Sequence, residues 1–231
     1  YPNYQGVASP DARRRFETLW GMELDPEPGL TVVEIMNAAK KRQIRGMYVM
    51  GENPAMSDPD VDHAREALGT LDHLVVQDIF LTETAYLADV VLPATAWPEK
   101  IGTVTNTDRM VQLGRKAIEP PGEARPDLWI INELARGIGL DWHYSHPRDV
   151  FNEMRTCMDA IAGITWDRLE RESSVTYPCA KEGDPGQPVV FVERFPTATG
   201  RATFVPADLI FAAERPDADY PLVLITGRQL E

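Results

Sequence analysis

Cysteine is scarce in this chain of 231 residues, with Cys157 and Cys179 as the only two. Two cysteines are too few for the disulfide framework that stabilises small secreted proteins, and neither belongs to a CxxC pair. The four histidines are scattered along the chain and complete no spacing typical of a metal site. We therefore predict no metal ligand in this chain and interpret both thiols as buried or incidental residues.

Positive charge and long apolar runs are also in short supply. The chain has 23 Lys and Arg against 36 Asp and Glu, a formal net charge of −13, whereas proteins that bind nucleic acid backbones need clustered cations. No apolar run approaches the roughly 20 residues that cross a bilayer, and the first residues lack the apolar segment of a signal peptide. These absences predict a cytoplasmic protein with no nucleic acid partner and no membrane segment.

Several motifs that mark an active site are missing. The chain contains neither GxGxxG nor the GK[ST] ending of a phosphate-binding loop, and it lacks both GxSxG and HExxH. Acidic residues are plentiful, but no pair of them is set apart by an apolar context. The residues alone therefore indicate a binding platform more strongly than a complete active site, and they predict no catalytic residue.

Three short apolar runs, at residues 47–50, 74–76 and 90–92, are what the sequence does contain. Each is apolar or β-branched and stops at polar or turn residues, which is typical of buried strands. A helical pattern separates the first two runs, so this stretch predicts a βαβ unit. The expected fold class is α/β: a Rossmann-like parallel sheet with flanking helices, plus irregular and small β segments outside it.

Polar residues follow the first two predicted strands: Gly51, Glu52 and Asn53 after the first, Gln77 and Asp78 after the second. Open α/β sheets hold ligands at the carboxyl ends of their strands, so these residues are predicted to hold the polar end of a nucleotide-like cofactor. Asn53 can donate and accept at once, and Asp78 can accept from a ribose diol or a guanine edge. Two alternatives stay open: GENP is an ordinary turn sequence, and Asp78 can simply cap the following turn.

The rest of the chain carries further helical and strand patterns. Thr31 and Glu34 form a capping box, and Ser57 or Asp58 is expected to cap the helix of the βαβ unit. Apolar spacing predicts helices at 10–20, 126–139, 147–158, 165–170 and 208–214. Alternation predicts a hairpin within 102–112 and another with strands at 189–195 and 200–206. Lys100 could reach a ligand, although pairing with neighbouring acidic residues is the more ordinary interpretation.

The longest of these runs resemble the catalytic subunit of molybdopterin-dependent oxidoreductases, most closely the formate dehydrogenase alpha branch. The resemblance is carried by GMYVMGENPAMSDPD, by HLVVQDIFLTETAYLADVVLPATAWPEKIGTVTNTDRMVQ and by YPLVLITGR, in the family's order. It covers essentially the whole chain, which resembles an internal part of a longer subunit.

This resemblance implies a cofactor, a reaction and partners. Family members hold molybdenum or tungsten between two molybdopterin guanine dinucleotides (bis-MGD) and oxidise formate to carbon dioxide. Their electrons pass through an iron–sulfur cluster, which belongs to the remainder of the same subunit, towards iron–sulfur or flavin electron-transfer subunits. Formate is then the implied small-molecule substrate, and the chain is implied to be part of an enzyme.

The same match implies which residues hold the cofactor. The GENP loop and the residues after the second strand match segments that hold the guanosine end of one pterin dinucleotide, and TGR matches a loop that approaches it from the last domain. The implied cofactor-binding residues are Gly51, Glu52, Asn53, Gln77, Asp78, Thr82, Asp108, Thr226, Gly227 and Arg228.

Patterns and resemblance together divide the chain into six stretches. We expect a lead-in segment, an α/β cofactor-binding domain, an extended excursion along a neighbouring domain, a helix returning to the α/β domain, a helical and β-hairpin segment, and the start of a C-terminal domain. Their expected bounds are 1–29, 30–96, 97–125, 126–147, 148–219 and 220–231.

The chain also departs from the family. The amino-terminal iron–sulfur cysteines, the metal-ligating cysteine or selenocysteine and the histidine beside it have no counterpart here. A strand-like run at 222–225 that opens into a turn suggests a chain cut from a longer protein, so the isolated piece is expected to be inactive. Two alternatives remain: a nitrate reductase-like enzyme or respiratory NADH dehydrogenase subunit of the same family, and a non-catalytic nucleotide-binding module.

Overall fold

A computed structural model describes residues 1–212 and 214–225 of the chain. The predicted site residues Thr226, Gly227 and Arg228 lie outside the described residues. Residues 1–188 form one unit, and the chain from 189 onward forms a second one. The predicted divisions at 29, 96, 125 and 147 all fall inside the first unit.

The predicted parallel sheet is present in the first unit. Its strands are β1 (Gly46–Met50), β2 (His73–Asp78) and β3 (Val90–Pro93), in the spatial order β1-β2-β3. Both pairs are parallel, with Val49 beside Val76 and Gln77 beside Leu92. The three apolar runs therefore become neighbouring strands whose carboxyl ends lie at one edge, and the expected α/β class is confirmed.

Helices cover one face of this sheet. They are α2 (Val32–Lys40), α3 (Pro54–Ser57) and α4 (Val61–Gly69). Because alternate strand residues point to opposite faces, Leu74 and Val76 of β2 enter this core while Gln77 points away from it. The core consists of Met36, Ala39, Val49, Ala55, Ala67, Leu68, Leu74, Val76 and Ala85.

The helix of the βαβ unit begins later than predicted. Pro54 opens the single turn of α3, and α4 is capped by Asp60, whose Oδ1 accepts from the His63 amide at 3.2 Å. The prediction that Ser57 or Asp58 caps this helix is therefore wrong. Asp58 instead accepts from the Asp60 amide in the connecting turn, at 2.9 Å.

The capping box at the start of α2 is formed as predicted. The Thr31 amide donates to Glu34 Oε2 at 2.8 Å, and the Glu34 amide donates to Thr31 Oγ1 at 3.4 Å. These bonds, the backbone one first, hold the pKa of Glu34 below its usual value. Because the pKa of Glu34 is lower in the folded state than in the unfolded state, its carboxylate contributes fully to folding stability at a pH above the ordinary glutamate pKa. That stability is lost as the pH falls through the lowered pKa.

Replacing Thr31 by alanine is expected to lower the free energy of unfolding by about 1 kcal/mol near neutral pH. The alanine leaves the Glu34 amide without its partner, and urea denaturation measures the difference. Thr31→Ser is the control, since its hydroxyl keeps the cap. Equal losses for the alanine and serine variants would contradict a role for the hydroxyl.

A second sheet lies in the same unit. Its strands are β4 (Gly102–Thr105), β5 (Met110–Gly114) and β6 (Ser174–Thr176), antiparallel in the order β4-β5-β6. The hairpin predicted within 102–112 is thus formed. Two segments of the predicted excursion at 97–125 are strands of this sheet, and its course along a neighbouring domain stays a prediction. The pairing partner β6 comes from far along the chain, which local pattern does not reveal.

Helices build a second core on this sheet. They are α6 (Pro147–Cys157) and α7 (Trp166–Glu172). Helix α5 (Asp127–Gly137) contributes no residue to this core, and helix α1 (Pro10–Trp20) has the bounds predicted for it. The amino-terminal segment lies against α6: Gln5 Nε2 donates to the Cys157 carbonyl at 2.9 Å, and Trp20 Nε1 donates to Glu153 at 3.0 Å. The core residues are Val111, Leu113, Phe151, Ile161, Ile164, Trp166, Leu169, Val175 and Cys179.

The second unit corrects three predictions. The strands at 189–195 and 200–206 are absent, as are a helix in the described part of 208–214 and a strand at 222–225. Apolar side chains such as Val192, Phe204 and Ile210 are exposed there. A two-stranded hairpin is marginally stable unless its apolar face is covered, so an alternating pattern alone did not produce strands.

Candidate functional site

The carboxyl ends of β1 and β2, with the chain that follows β3, enclose a cavity of about 470 Å³. This is the edge of a parallel sheet at which α/β proteins hold ligands. The residues that line it are Gly51, Gln77, Asp78, Ile79, Ala94, Thr95, Ala96, Trp97, Lys100 and Asp127. We call this cavity the strand-end site.

A chain of polar contacts runs beneath the strand-end site. The Tyr48 hydroxyl donates to Gln77 Oε1, and Gln77 Nε2 donates to Asp127 Oδ1 at 2.6 Å. Asp127 Oδ2 pairs with the Lys100 ammonium, which also donates to the Thr95 carbonyl at 2.9 Å. Gln77 is fully buried, and both ends of its amide are occupied. Through these bonds it positions Asp127, which in turn pairs with Lys100.

Burial raises the pKa of Tyr48, and the negative charge of Asp127 raises it further. Tyr48 consequently stays protonated at neutral pH and acts as a donor to Gln77. The hydrogen bonds between Tyr48 and Asp127 all run in one direction: Tyr48 donates to Gln77, and Gln77 donates to the carboxylate of Asp127. Lys100 meets that carboxylate from the other side and places a cation on the cavity wall.

Asp78 both caps a turn and lines the cavity. Its Oδ1 accepts from the amides of Ile79 at 2.7 Å and Phe80 at 3.2 Å. Among the described residues, nothing donates to its Oδ2. The two interpretations that the sequence left open are thus compatible, since one carboxylate oxygen holds the turn and the other is available to a ligand.

Asn53 and Thr84 join the loop after β1 to the loop after β2. Asn53 Oδ1 accepts from the Thr84 hydroxyl at 2.8 Å and from the Thr84 amide at 3.1 Å, and the Thr84 hydroxyl accepts from the Ala55 amide at 3.0 Å. Asn53 Nδ2 donates to Glu83 at 2.7 Å, which lowers the pKa of that carboxyl. We call this set of bonds the loop clasp. It occupies the whole Asn53 amide, so this side chain holds the loop instead of lining the cavity.

The remaining predicted residues have varied surroundings. Gly51 lines the cavity with a positive φ of 63°, and its amide donates to the Gln77 carbonyl at 2.9 Å. Glu52 is exposed and lies outside the cavity lining. Thr82 Oγ1 accepts from the Ala85 amide at 3.2 Å, which is a capping contact. Asp108 lies in the turn between β4 and β5, on the other sheet, and accepts from the Met110 amide at 3.2 Å.

Sequence reasoning missed six residues of the strand-end site, among them Thr95, Trp97 and Asp127. Asp127 was interpreted as the start of a helix, and Lys100 as a residue that pairs with its neighbours. Their common feature is a position shortly after β3 or at the start of α5, where the chain returns to the sheet edge. Lys100 and Asp127 meet across 27 sequence positions, a contact that no local pattern indicates.

A larger cavity of about 730 Å³ lies along α5, with Arg125, Trp129, Asn132 and Tyr144 in its wall. It shares Lys100 with the strand-end site but lies away from the strand ends. We assign the function to the smaller cavity, because sheet topology and a free Asp78 oxygen both point there.

The two thiols take part in neither cavity. Cys157 and Cys179 are both buried, and burial raises the pKa of each. Across 1–212 and 214–225, no group of three or more His, Cys, Asp or Glu residues has metal-binding geometry. In the same residues no helix is long and apolar enough to cross a membrane.

Comparison with known proteins gives an independent view. A family model described as molybdopterin oxidoreductase matches residues 2–137. The F420-dependent formate dehydrogenase subunit alpha of Methanocaldococcus jannaschii is 48% identical over 99% of this chain and 34% of its own length. Formate dehydrogenase H of Escherichia coli is 34% identical over 100% of this chain and 33% of its own length. The chain thus spans about a third of the length of these relatives.

The structural comparison agrees at the level of fold. Acetylene hydratase from Pelobacter acetylenicus matches 75% of this chain and 24% of its own, with a TM-score of 0.56 and 22% sequence identity. At that identity the match supports a shared fold and carries no statement about the reaction.

Proposed function

The chain belongs to the molybdopterin oxidoreductase family, and on that premise we propose that its strand-end site holds the guanine end of a molybdopterin guanine dinucleotide. The observation that carries the proposal is that one cavity contains both the Lys100 ammonium and an Asp78 oxygen that accepts no hydrogen bond from the described residues. A carboxylate oxygen accepts from the N–H groups of a guanine edge, and a cation suits phosphate.

The residues present fit such a group. Thr95 Oγ1 is buried without a hydrogen-bond partner in the described residues, and Thr95 lines the same cavity. Buried hydroxyls are normally satisfied, so this atom marks a place where a polar partner is expected. The positive φ of Gly51 brings the backbone to the cavity wall without a side chain.

We propose that the protein of which this chain forms part is a formate dehydrogenase catalytic subunit. Two relatives with that activity in their names match nearly the whole chain. When bound, the bis-MGD cofactor supplies a molybdenum or tungsten centre for the two-electron oxidation of formate. In this chain Asp78 binds the base, Lys100 neutralises phosphate, and Gln77 with Asp127 keeps Lys100 in position. We also propose that the whole subunit holds an iron–sulfur cluster, passes electrons to iron–sulfur or flavin subunits, and is cytoplasmic.

Exchange of Asp78 for asparagine in the whole subunit tests the site. The asparagine keeps a turn-capping oxygen but turns the acceptor that faces the cavity into a donor. We expect guanine dinucleotide retained per protein, and formate oxidation with a viologen dye, to fall about tenfold, the effect of one hydrogen bond to a charged group.

Asp184→Asn is the matched control, since Asp184 also caps a turn, through the Gly186 amide at 3.0 Å, but lies outside the strand-end site. Wild-type cofactor content in Asp78→Asn would overturn the assignment of the site. If the cofactor-loaded subunit turned over nitrate instead of formate, the proposed substrate would be wrong, but the assignment of the cofactor site would be unaffected.

A further inference from the structure

Trp97 differs from every other tryptophan of the chain in having no aromatic or cationic partner among the described residues. Trp20 packs against Phe16 with a ring separation of 5.0 Å, Trp142 against Tyr144 at 6.1 Å, and Trp166 against His146 at 5.2 Å. The fourth, Trp129, lies under a guanidinium 5.9 Å from its ring. The indole of Trp97 is 73% exposed and lines the strand-end site. Its exposed ring therefore contributes little to the core.

The backbone that carries Trp97 is held on both sides. Before the indole, the Ala96 amide donates to Glu99 Oε2 at 2.9 Å. After it, the Pro98 carbonyl accepts from the amides of Ala117 at 2.7 Å and Ile118 at 3.1 Å. An exposed aromatic ring on a restrained turn is preorganised for a ligand, because little backbone entropy is lost on binding.

We infer that Trp97 is the residue on which the purine base stacks in the strand-end site. This inference rests on the proposed function and adds a contact to it. Asp78 and Lys100 offer a carboxylate and an ammonium, which bind the edge and the phosphate of a nucleotide but leave the flat face of the base uncovered. The indole supplies that face. Stacking accepts any purine, whereas Asp78 selects guanine through its N–H groups.

Titration of the cofactor-free whole subunit with guanosine monophosphate and adenosine monophosphate tests this division of roles. Trp97→Ala is expected to weaken the binding of both nucleotides by about tenfold. Trp97→Phe keeps an aromatic ring, and its affinity for each nucleotide should fall by less than about threefold. In the wild type, guanosine monophosphate should quench indole fluorescence, and most of that quenching should vanish in Trp97→Phe.

Phe80→Ala is the matched control. Phe80 is also 73% exposed and lies in the loop after β2, but it does not line the cavity, so its removal should leave both affinities unchanged. Wild-type affinity in Trp97→Ala, with binding still weakened by Asp78→Asn, would overturn the stacking role alone. A wild-type subunit that binds neither nucleotide would overturn the proposed function and this inference with it.

Discussion

Replacing Gln77 by leucine is expected to lower the free energy of unfolding by about 2 kcal/mol, because it removes a buried amide that makes two hydrogen bonds. Gln77 is fully buried, accepts from the Tyr48 hydroxyl and donates to Asp127. Leucine fills a similar volume but removes the acceptor of the Tyr48 hydroxyl and the donor to Asp127 Oδ1, while Asp127 Oδ2 keeps its pair with Lys100. Tyr48 and Asp127 are both partly exposed, so the loss is that of two hydrogen bonds, each of which contributes about 1 kcal/mol net.

The same substitution is expected to weaken nucleotide binding at the strand-end site by up to about tenfold. Asp127 loses the bond that fixes its carboxylate, and Lys100 is held by that carboxylate. A cation that is no longer positioned binds phosphate less well, since part of the binding energy then goes into ordering the side chain. Urea denaturation and titration with guanosine monophosphate measure the two effects separately.

Gln112→Leu provides the control. This glutamine also lies on a strand, but its amide donates to Asn106 at the exposed end of a hairpin. The change should alter stability by less than about 0.5 kcal/mol and leave nucleotide binding unchanged. If Gln77→Leu were as stable as Gln112→Leu, the polar chain from Tyr48 to Lys100 would not be a stabilising network.

The network also shows what local pattern can and cannot predict. The runs at 47–50, 74–76 and 90–92 predicted β1, β2 and β3 to within two residues, because parallel strands are apolar along their length. Their predicted burial holds for most of β2, whereas most residues of β1 and β3 are exposed. Helix α1 and the capping box at Thr31 were predicted for a similar local reason. Each of these signals lies within a few residues of the element it specifies.

The contacts that complete the site depend on tertiary structure. Asp127 opens a helix, and only the folded chain brings it between Gln77 and Lys100. The Asn53 amide accepts from Thr84 and donates to Glu83 in the folded chain, partners that its place after β1 does not reveal. The alternating run at 189–206 failed for the opposite reason, since it carries a strand pattern without a surface to cover it. The local sequence pattern predicts where strands end and which polar side chains follow them, whereas tertiary packing decides which groups those side chains contact.

Replacing Thr84 by valine is expected to lower the free energy of unfolding by about 2 kcal/mol through loss of the loop clasp. Valine has nearly the shape of threonine, so no cavity forms at this fully buried position. The Ala55 amide loses its acceptor, and Asn53 Oδ1 keeps only the bond from the Thr84 amide. A buried donor without a partner costs about 1–3 kcal/mol. Calorimetry measures the stability, and hydrogen exchange at the Ala55 amide should become faster.

The clasp variants also separate support of the loop from contact with a ligand. Thr84→Ser keeps the hydroxyl and should preserve slow hydrogen exchange at the Ala55 amide. Thr105→Val is the control: it removes an exposed hydroxyl of β4 that makes no hydrogen bond in the described residues, so stability and exchange should change little. Because the clasp holds the loop that carries Gly51, Thr84→Val should weaken binding of guanosine monophosphate several-fold while leaving its preference over adenosine monophosphate intact. A lost preference would instead mean that Asn53 contacts the base, which requires the clasp to open when the nucleotide binds.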